Sequence, residues 1–174
     1  MSILKFFGLS SDAEPRAEAT DTESVRKIAR ALDRLDAPRA RFVACFAYLL
    51  GRVANADNVI SEEETREMER LVVTRGGLSE EQAVIAVQIA KTQNSLFGST
   101  ENFVVAREFN EISSREQKLA LLDCLFAVSA AEDGISLAED NEIRRISQEF
   151  NLEHKDFIAV RSRYRGDLNV LGSS

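Results

Sequence analysis

The sequence predicts an all-α fold, a helical bundle of seven to eight helices with an internal duplication of a helical hairpin. Residues 42–51 and 119–131 consist almost wholly of apolar and small residues, as in helices buried on most sides. Four Ser-x-x-Glu or Ser-x-x-Gln boxes, the signature of a capped helix start, recur along the chain. No stretch alternates apolar and polar residues between turn residues, as an exposed strand would.

The first half of the chain contains four predicted helices. Asp21 or Thr22 caps the first, which ends near residue 35 because the residue before Pro38 avoids helical angles. Pro38 opens the first apolar helix, to about residue 56. Ser61 caps a third helix that stops at Gly76-Gly77, and Ser79 opens a fourth with an end near residue 94.

The second half of the chain contains four further predicted helices. Phe103 to Phe109 form a short helix that ends before Ser113, and Ser114 opens the long apolar helix. Ser136 caps a helix with Ile143, Ile146 and Phe150 on one face. A last helix begins near residue 153 and carries Phe157, Ile158 and Tyr164.

The internal duplication is predicted from a gapless shift of 75 positions. The shift places Arg41–Arg75 on residues 116–150 and gives seven identities between positions 53 and 71. Ser61 falls on Ser136, and Glu64 falls on Glu139, so both capping boxes match. Each copy is an apolar helix, an acidic turn and an amphipathic helix. We call the turns the first elbow (residues 55–64) and the second elbow (residues 130–139).

We expect three segments: a flexible N-terminal segment (1–20), one helical domain (21–166) and a flexible tail (167–174). The length fits one domain, since domains usually have about 100–200 residues. Residues 3–9 are apolar but too short for a signal peptide, so a cytoplasmic location is expected. They could dock on the domain or touch a membrane surface, and membrane contact is the less favoured reading.

The net charge restricts the classes of partner, and the cysteine usage indicates the compartment. The formal net charge of −7 and the lack of a basic cluster argue against nucleic acid, whose phosphates need such a surface. A protein partner fits better, and the sequence does not indicate the oligomeric state. Cys45 and Cys124 lie inside the two apolar helices without metal-binding spacing, which predicts buried, inert thiols in a reducing compartment.

No catalytic motif is recognisable. His154 is the only histidine and has no nucleophile or acid beside it in a known pattern, so a surface or capping role is expected. Phosphate loops and the GxGxxG, GxSxG and HExxH motifs are absent from the sequence. We therefore expect a non-catalytic protein. An enzyme of an unrecognised class ranks third, behind two non-catalytic hypotheses.

The acidic elbows suggest a divalent-cation site, with calcium as the example. Calcium takes six to eight oxygen ligands, which clustered carboxylates supply. An EF-hand does not fit, because Gly134 as loop position 6 would put Ser129 and Ala131 at the first ligand positions, and the first copy would begin with Ala54. Capping and the helix dipole alone explain Glu64 and Glu139, which leaves a solvated acidic surface or docking face as the alternative.

The elbows resemble those of the tellurite resistance protein TerB family and the related N-terminal domain of DjlA-type co-chaperones. The shared pattern is an apolar helix ending in Ala-x-Ala-Asp or Ala-Asp-Gly, followed by Ile-Ser-x-x-Glu, and here it covers roughly residues 38–164. The resemblance implies an all-helical bundle with pseudo-twofold symmetry and an acidic, metal-binding surface. By position, the metal ligands would be Asp57, Glu64, Asp133 and Glu139.

Two departures from the family pattern affect that ligand set. Asn58-Val59 stands where the pattern prefers glycine, and Glu132 precedes Asp133, which puts the two aspartates one place out of register. The preferred hypothesis is a TerB-like metal-sensing or protein-docking module in a tellurite-type stress response. The alternative is a metal-free interaction module, which could lie near a membrane through residues 3–9.

Overall fold

A computed structural model describes residues 19–54, 61–96, 102–131 and 134–169. Within these ranges the chain forms eight α-helices and no strand, so the predicted all-α bundle is confirmed. The helices are α1 Ala19–Asp33, α2 Ala37–Ala54, α3 Glu62–Thr74, α4 Glu80–Leu96, α5 Asn102–Ile112, α6 Arg115–Ala131, α7 Leu137–Glu149 and α8 His154–Arg161. A 3₁₀ helix, Ser162–Asp167, follows α8 directly. The internal duplication remains a prediction.

The predicted capping boxes form in the structure. In α3 and α7, the serine hydroxyl accepts from the backbone N–H of the glutamate three residues later, and that glutamate accepts from the serine N–H. Ser79 with Gln82 and Ser114 with Gln117 make the same reciprocal bonds before α4 and α6. These bonds satisfy N–H groups that a helix start leaves free, which is why the serines mark the starts so well.

Helices α2 and α6 form the centre of the bundle and contact each other. Residues 42–51 of α2 and 121–129 of α6 are buried without interruption. Helices α4 and α5 cover α2, while α7 and α8 pack on α6. Consequently the other helices need only one apolar face, and the two central helices need apolar residues all round.

Phenylalanines link the helices through the core. Phe109 of α5 lies 5.4 Å from Phe42 and 5.1 Å from Phe150, measured between ring centroids. Phe126 of α6 lies 5.9 Å from Phe157 and is stacked on Tyr164 of the 3₁₀ helix at 5.5 Å. The centroid distances of these contacts lie within the range that aromatic pairs prefer.

The C-terminal segment continues past residue 166, where the sequence placed the end of the domain. Leu168 is buried and forms an isolated parallel bridge with Ile135, which lies in the second elbow. Ile135 N donates to Asp167 O at 2.7 Å, and Asn169 N donates to Ile135 O at 3.0 Å. The packed chain therefore reaches at least residue 169.

No helix in the described ranges combines the length and the apolarity needed to cross a membrane. The apolar residues 3–9, for which docking or membrane contact was predicted, lie outside the described residues, as do residues 170–174.

Candidate functional site

The two glutamates predicted as metal ligands are the capping residues of the amphipathic helices. Glu64 Oε2 accepts from Ser61 N at 2.7 Å, and Glu139 Oε2 accepts from Ser136 N at 2.8 Å. One carboxylate oxygen of each is therefore engaged by the backbone, and the second, Oε1, makes no hydrogen bond to the described residues. These free oxygens fit a cation that takes oxygen ligands.

Asp57 and Asp133, the other two predicted ligands, lie outside the described residues. Among residues 19–54, 61–96, 102–131 and 134–169, no three His, Cys, Asp or Glu side chains gather as a metal site would require. The four-residue metal site thus remains a prediction.

Asp140, the acidic residue directly after the second elbow, is paired with an arginine. It is 2 % exposed, and its two carboxylate oxygens accept from Arg161 Nε at 2.8 Å and Nη2 at 3.0 Å. This bidentate pair ties α7 to α8 and is the geometry in which guanidinium and carboxylate bind most strongly. The sequence did not indicate it, because the two residues are 21 positions apart.

The second elbow is built closely against the C-terminal segment. Gly134 has φ +84°, a conformation that favours glycine, and a Cβ atom there would lie 2.5 Å from Asn169 Oδ1. The next residue, Ile135, forms the bridge to Leu168. As a result, the backbone from Gly134 to Ser136 is held in place immediately after Asp133.

A cavity of about 190 Å³ lies between α3 and α6, where α6 reaches the second elbow. We call it the acidic cavity. Its described lining combines three glutamates with an apolar side: Glu63, Glu64, Glu67, Met68, Leu71, Val128 and Ala131. Met68, Leu71 and Val128 are buried, while Glu63 and Glu64 are exposed. The cavity can therefore receive a group that is apolar along its stem and positively charged.

Glu67 already carries one positive partner. Arg70, one helical turn later, donates from Nη2 to Glu67 Oε1 at 2.6 Å and from Nε to Oε2 at 3.0 Å. The hydrogen bonds from Arg70 lower the pKa of Glu67. The side chains of Arg70 and Glu67 are 59 % and 43 % exposed, so this ion pair contributes little to stability and can rearrange.

Arg52 of α2 binds two glutamates of α7. Its side chain is 4 % exposed, and Nε and Nη2 donate to Glu142 Oε1 at 2.9 and 2.6 Å. Its Nη1 donates to Glu149 Oε2 at 2.9 Å. Burial lowers the pKa of Arg52, but the hydrogen bonds that it donates to Glu149 and Glu142 outweigh this effect and leave the pKa raised. The guanidinium is therefore charged and is fixed in place by its hydrogen bonds to the two glutamates.

Arg52 was missed by the sequence reasoning, although the signal was present. A shift of 75 positions puts Arg52 on Ala127 and Glu67 on Glu142. Arg52 is one of several charged residues of the apolar helices that lack a charged counterpart, and sequence identity alone does not mark such a position.

The cysteines and the histidine lie as the sequence predicted. Cys45 and Cys124 are buried. Burial, with a smaller contribution from Glu108, raises the pKa of Cys45 to about 12, and burial with Asp123 raises the pKa of Cys124 as well. Such thiols stay protonated at neutral pH, which makes them poor nucleophiles. His154 is exposed at the start of α8.

Comparison with known proteins places the chain in a family. A family model described as "Tellurite resistance protein TerB" matches residues 42–162, more than two thirds of the 174 residues. No curated protein and no solved structure matches the chain. The matched region runs from α2 to the first residue of the 3₁₀ helix, and so includes both hairpins and the acidic cavity. The chain belongs to the tellurite resistance protein TerB family.

Proposed function

We propose that this chain is a non-catalytic, cytoplasmic docking module of a tellurite-type stress response, and that a protein partner binds at the acidic cavity. The cavity carries the proposal, because it joins buried apolar side chains to three glutamates at one place. Such a combination is typical of protein recognition, where an apolar centre is surrounded by a charged rim. The net charge of −7 favours a basic partner surface.

The protonated state of both buried thiols supports the non-catalytic part of the proposal. The exposed position of His154 at the start of α8 supports it too.

Charge reversal at the cavity tests the docking proposal. We would compare wild type with Glu63→Lys/Glu67→Lys and with a control, Glu111→Lys/Glu153→Lys, which changes two exposed glutamates outside the cavity. Each chain would be cross-linked in its native host during tellurite exposure. A partner that wild type and control retain and the cavity variant loses supports docking at this place. Equal partner recovery by both double variants overturns it.

Growth of the same strains on tellurite tests the biological setting. If the chain acts in the tellurite response through the cavity, the cavity variant lowers tolerance to the level of a deletion strain, and the control does not. If the deletion strain tolerates tellurite as well as the wild-type strain does, the chain has no role in tellurite tolerance. The proposed docking site is not affected by that result.

A second candidate function is divalent-cation binding at the elbows, through Asp133 and Glu139 and through Asp57 and Glu64. The free carboxylate oxygens of Glu64 and Glu139 and the fixed backbone after Asp133 favour it. Thermal unfolding of metal-stripped protein, with and without calcium, magnesium, manganese or zinc, tests it. Binding at a hundredfold excess over Kd stabilises the native state by about 2.7 kcal/mol. The shift should vanish in Asp133→Asn and persist in the control Asp33→Asn; no shift for any ion contradicts this candidate.

A further inference from the structure

We propose that the acidic cavity binds an arginine side chain presented by the partner protein, in the way the chain binds its own Arg52 between α2 and α7. This inference rests on the proposed docking function and names the chemistry of the bound group.

The two places match in position. Under the shift of 75, three lining residues of the acidic cavity, Glu67, Met68 and Leu71, correspond to Glu142, Ile143 and Ile146 of α7. Val128 corresponds to Val53. Helix α3 contacts α6, and α7 contacts α2, so each amphipathic helix lies against the apolar helix of the other hairpin. The correspondence is based on the shift of 75 positions and on these helix contacts, and it does not require a common origin.

The difference between the two places is the guanidinium. The Arg52 side chain fills the place between α2 and α7. Under the shift of 75, the counterpart of Arg52 in α6 is Ala127. The methyl group of Ala127 cannot reach a glutamate, and the next residue of α6, Val128, lines the cavity of about 190 Å³ together with Ala131. This volume is below the roughly 300–1,000 Å³ of small-molecule sites, so it suits a single side chain.

The glutamate pairing shows how the cavity can accept a second arginine. In α7, Glu142 serves two guanidinium groups: Oε1 accepts from Arg52 at 2.6 Å, and Oε2 lies 3.4 Å from Arg145. In α3, both oxygens of Glu67 are taken by Arg70, the counterpart of Arg145. A partner arginine would take Glu67 Oε1 and leave Arg70 on Oε2, the arrangement already seen at Glu142.

A second carboxylate is available one helical turn before Glu67 on α3. Arg52 uses Glu149, but Thr74 occupies the matching position of α3. Glu63, whose counterpart in α7 is the uncharged Ala138, lines the cavity and has no ion-pair partner among the described residues. The incoming guanidinium would thus lie between Glu67 and Glu63, with its methylene stem on Met68 and Val128. A planar fork with an apolar stem favours arginine over lysine.

Peptide titration tests the inference directly. The probe is acetyl-Gly-Arg-Gly-amide, compared with the same peptide carrying lysine or citrulline, an uncharged analogue of arginine. Binding is followed by amide NMR shifts of the full-length chain. We expect saturable shifts in residues 63–71 and 127–131, strongest for arginine. Glu67→Gln should weaken binding at least about tenfold, the ratio typical of a lost hydrogen bond to a charged group, while Glu111→Gln should not.

Ala127→Arg gives an internal version of the same test. An arginine at this position supplies the missing guanidinium, so the peptide should no longer bind. If Ala127→Arg does not fold, Glu67→Gln still decides. Equal binding of the arginine and citrulline peptides, equal binding of the arginine and lysine peptides, or an unchanged affinity in Glu67→Gln overturns the inference.

The docking proposal has a separate outcome. If the arginine peptide fails but the Glu63→Lys/Glu67→Lys variant still loses its cellular partner, docking stands and arginine recognition falls. If the peptide binds but recovery of the cellular partner does not depend on the cavity, arginine recognition stands and docking of that partner at the cavity is contradicted.

Discussion

Tyr164 Oη donates a hydrogen bond of 2.7 Å to Asp123 Oδ1 and lies 3.1 Å from the backbone oxygen of the same residue. The bond joins the 3₁₀ helix to the buried centre of α6. Asp123 is 7 % exposed, and its nearest cations, Arg163 and Arg75, are 3.6 and 3.7 Å away. The tyrosine is therefore the closest donor to a carboxylate that lies inside the bundle. Burial, and then Asp123 itself, raise the pKa of Tyr164.

We expect Tyr164→Phe to destabilise the protein by about 1–3 kcal/mol, the cost of leaving a buried polar group without its partner. Urea unfolding at neutral pH measures the change. A double-mutant cycle supplies the control: in an Asp123→Ala background the same substitution should cost clearly less, because no carboxylate is left unsatisfied. An equal cost in both backgrounds would show that the hydroxyl acts through something other than Asp123.

Arg52→Met should destabilise the fold strongly. Removing one partner of a buried ion pair costs about 3–5 kcal/mol, and we expect the lower end because water partly reaches Glu142 and Glu149, which are 23 % and 19 % exposed. Methionine keeps the apolar stem, so the loss reports on charge rather than volume.

Arg107→Met is the matched control for Arg52→Met. Arg107 pairs with Glu111 at 71 % and 61 % exposure, and such a pair contributes about 0.5 kcal/mol. Chemical denaturation of both variants gives the comparison. Similar losses would mean that the buried guanidinium does not stabilise the contact between α2 and α7.

Helix positions were predictable because local chemistry determines them. Ser61, Ser79, Ser114 and Ser136 each bond within three residues, so the pattern and the structure carry the same information. The all-round apolar character of α2 and α6 likewise required a central place in any bundle.

Contacts between distant residues were not predictable in this way. Asp123 with Tyr164 and Arg52 with Glu142 are separated by 41 and 90 positions. A charged residue in an apolar helix shows that some partner must exist, but only the packing of the helices selects which one. The acidic cavity was missed for the same reason, because its lining comes from two helices, α3 and α6, that are distant in sequence.

Gly134→Ala should destabilise the second elbow. Gly134 has φ +84°, and the added Cβ would also approach Asp167 O to 3.0 Å, next to the bridge between Ile135 and Leu168. Together these effects should cost about 1–3 kcal/mol. Gly166→Ala is the control, because a Cβ at Gly166 would have no neighbour within 4 Å. Thermal unfolding of the two variants checks the prediction, which fails if they melt together.

Stability should fall at alkaline pH, and Cys45 should account for part of the slope. Burial raises the pKa of its thiol from 9.0 to about 12, so above pH 9 the unfolded chain releases a proton that the folded chain keeps. The unfolded state then binds fewer protons, and the free energy of unfolding decreases with pH, by about 1.4 kcal/mol per pH unit for one such group. This contribution is fully present below pH 9 and is lost progressively as the pH approaches 12.

Cys45→Ala tests that assignment. The variant is destabilised at pH 7 by the lost side-chain volume, but its stability should fall less steeply between pH 9 and pH 11 than that of wild type. Cys124 and Tyr164, whose pKa values are also raised, keep part of the slope in both proteins. Urea unfolding at four pH values, with a reductant present, gives the two slopes. Parallel curves would mean that the Cys45 thiol ionises equally easily in the folded and unfolded chains, and that its burial does not contribute to the alkaline limit of the fold.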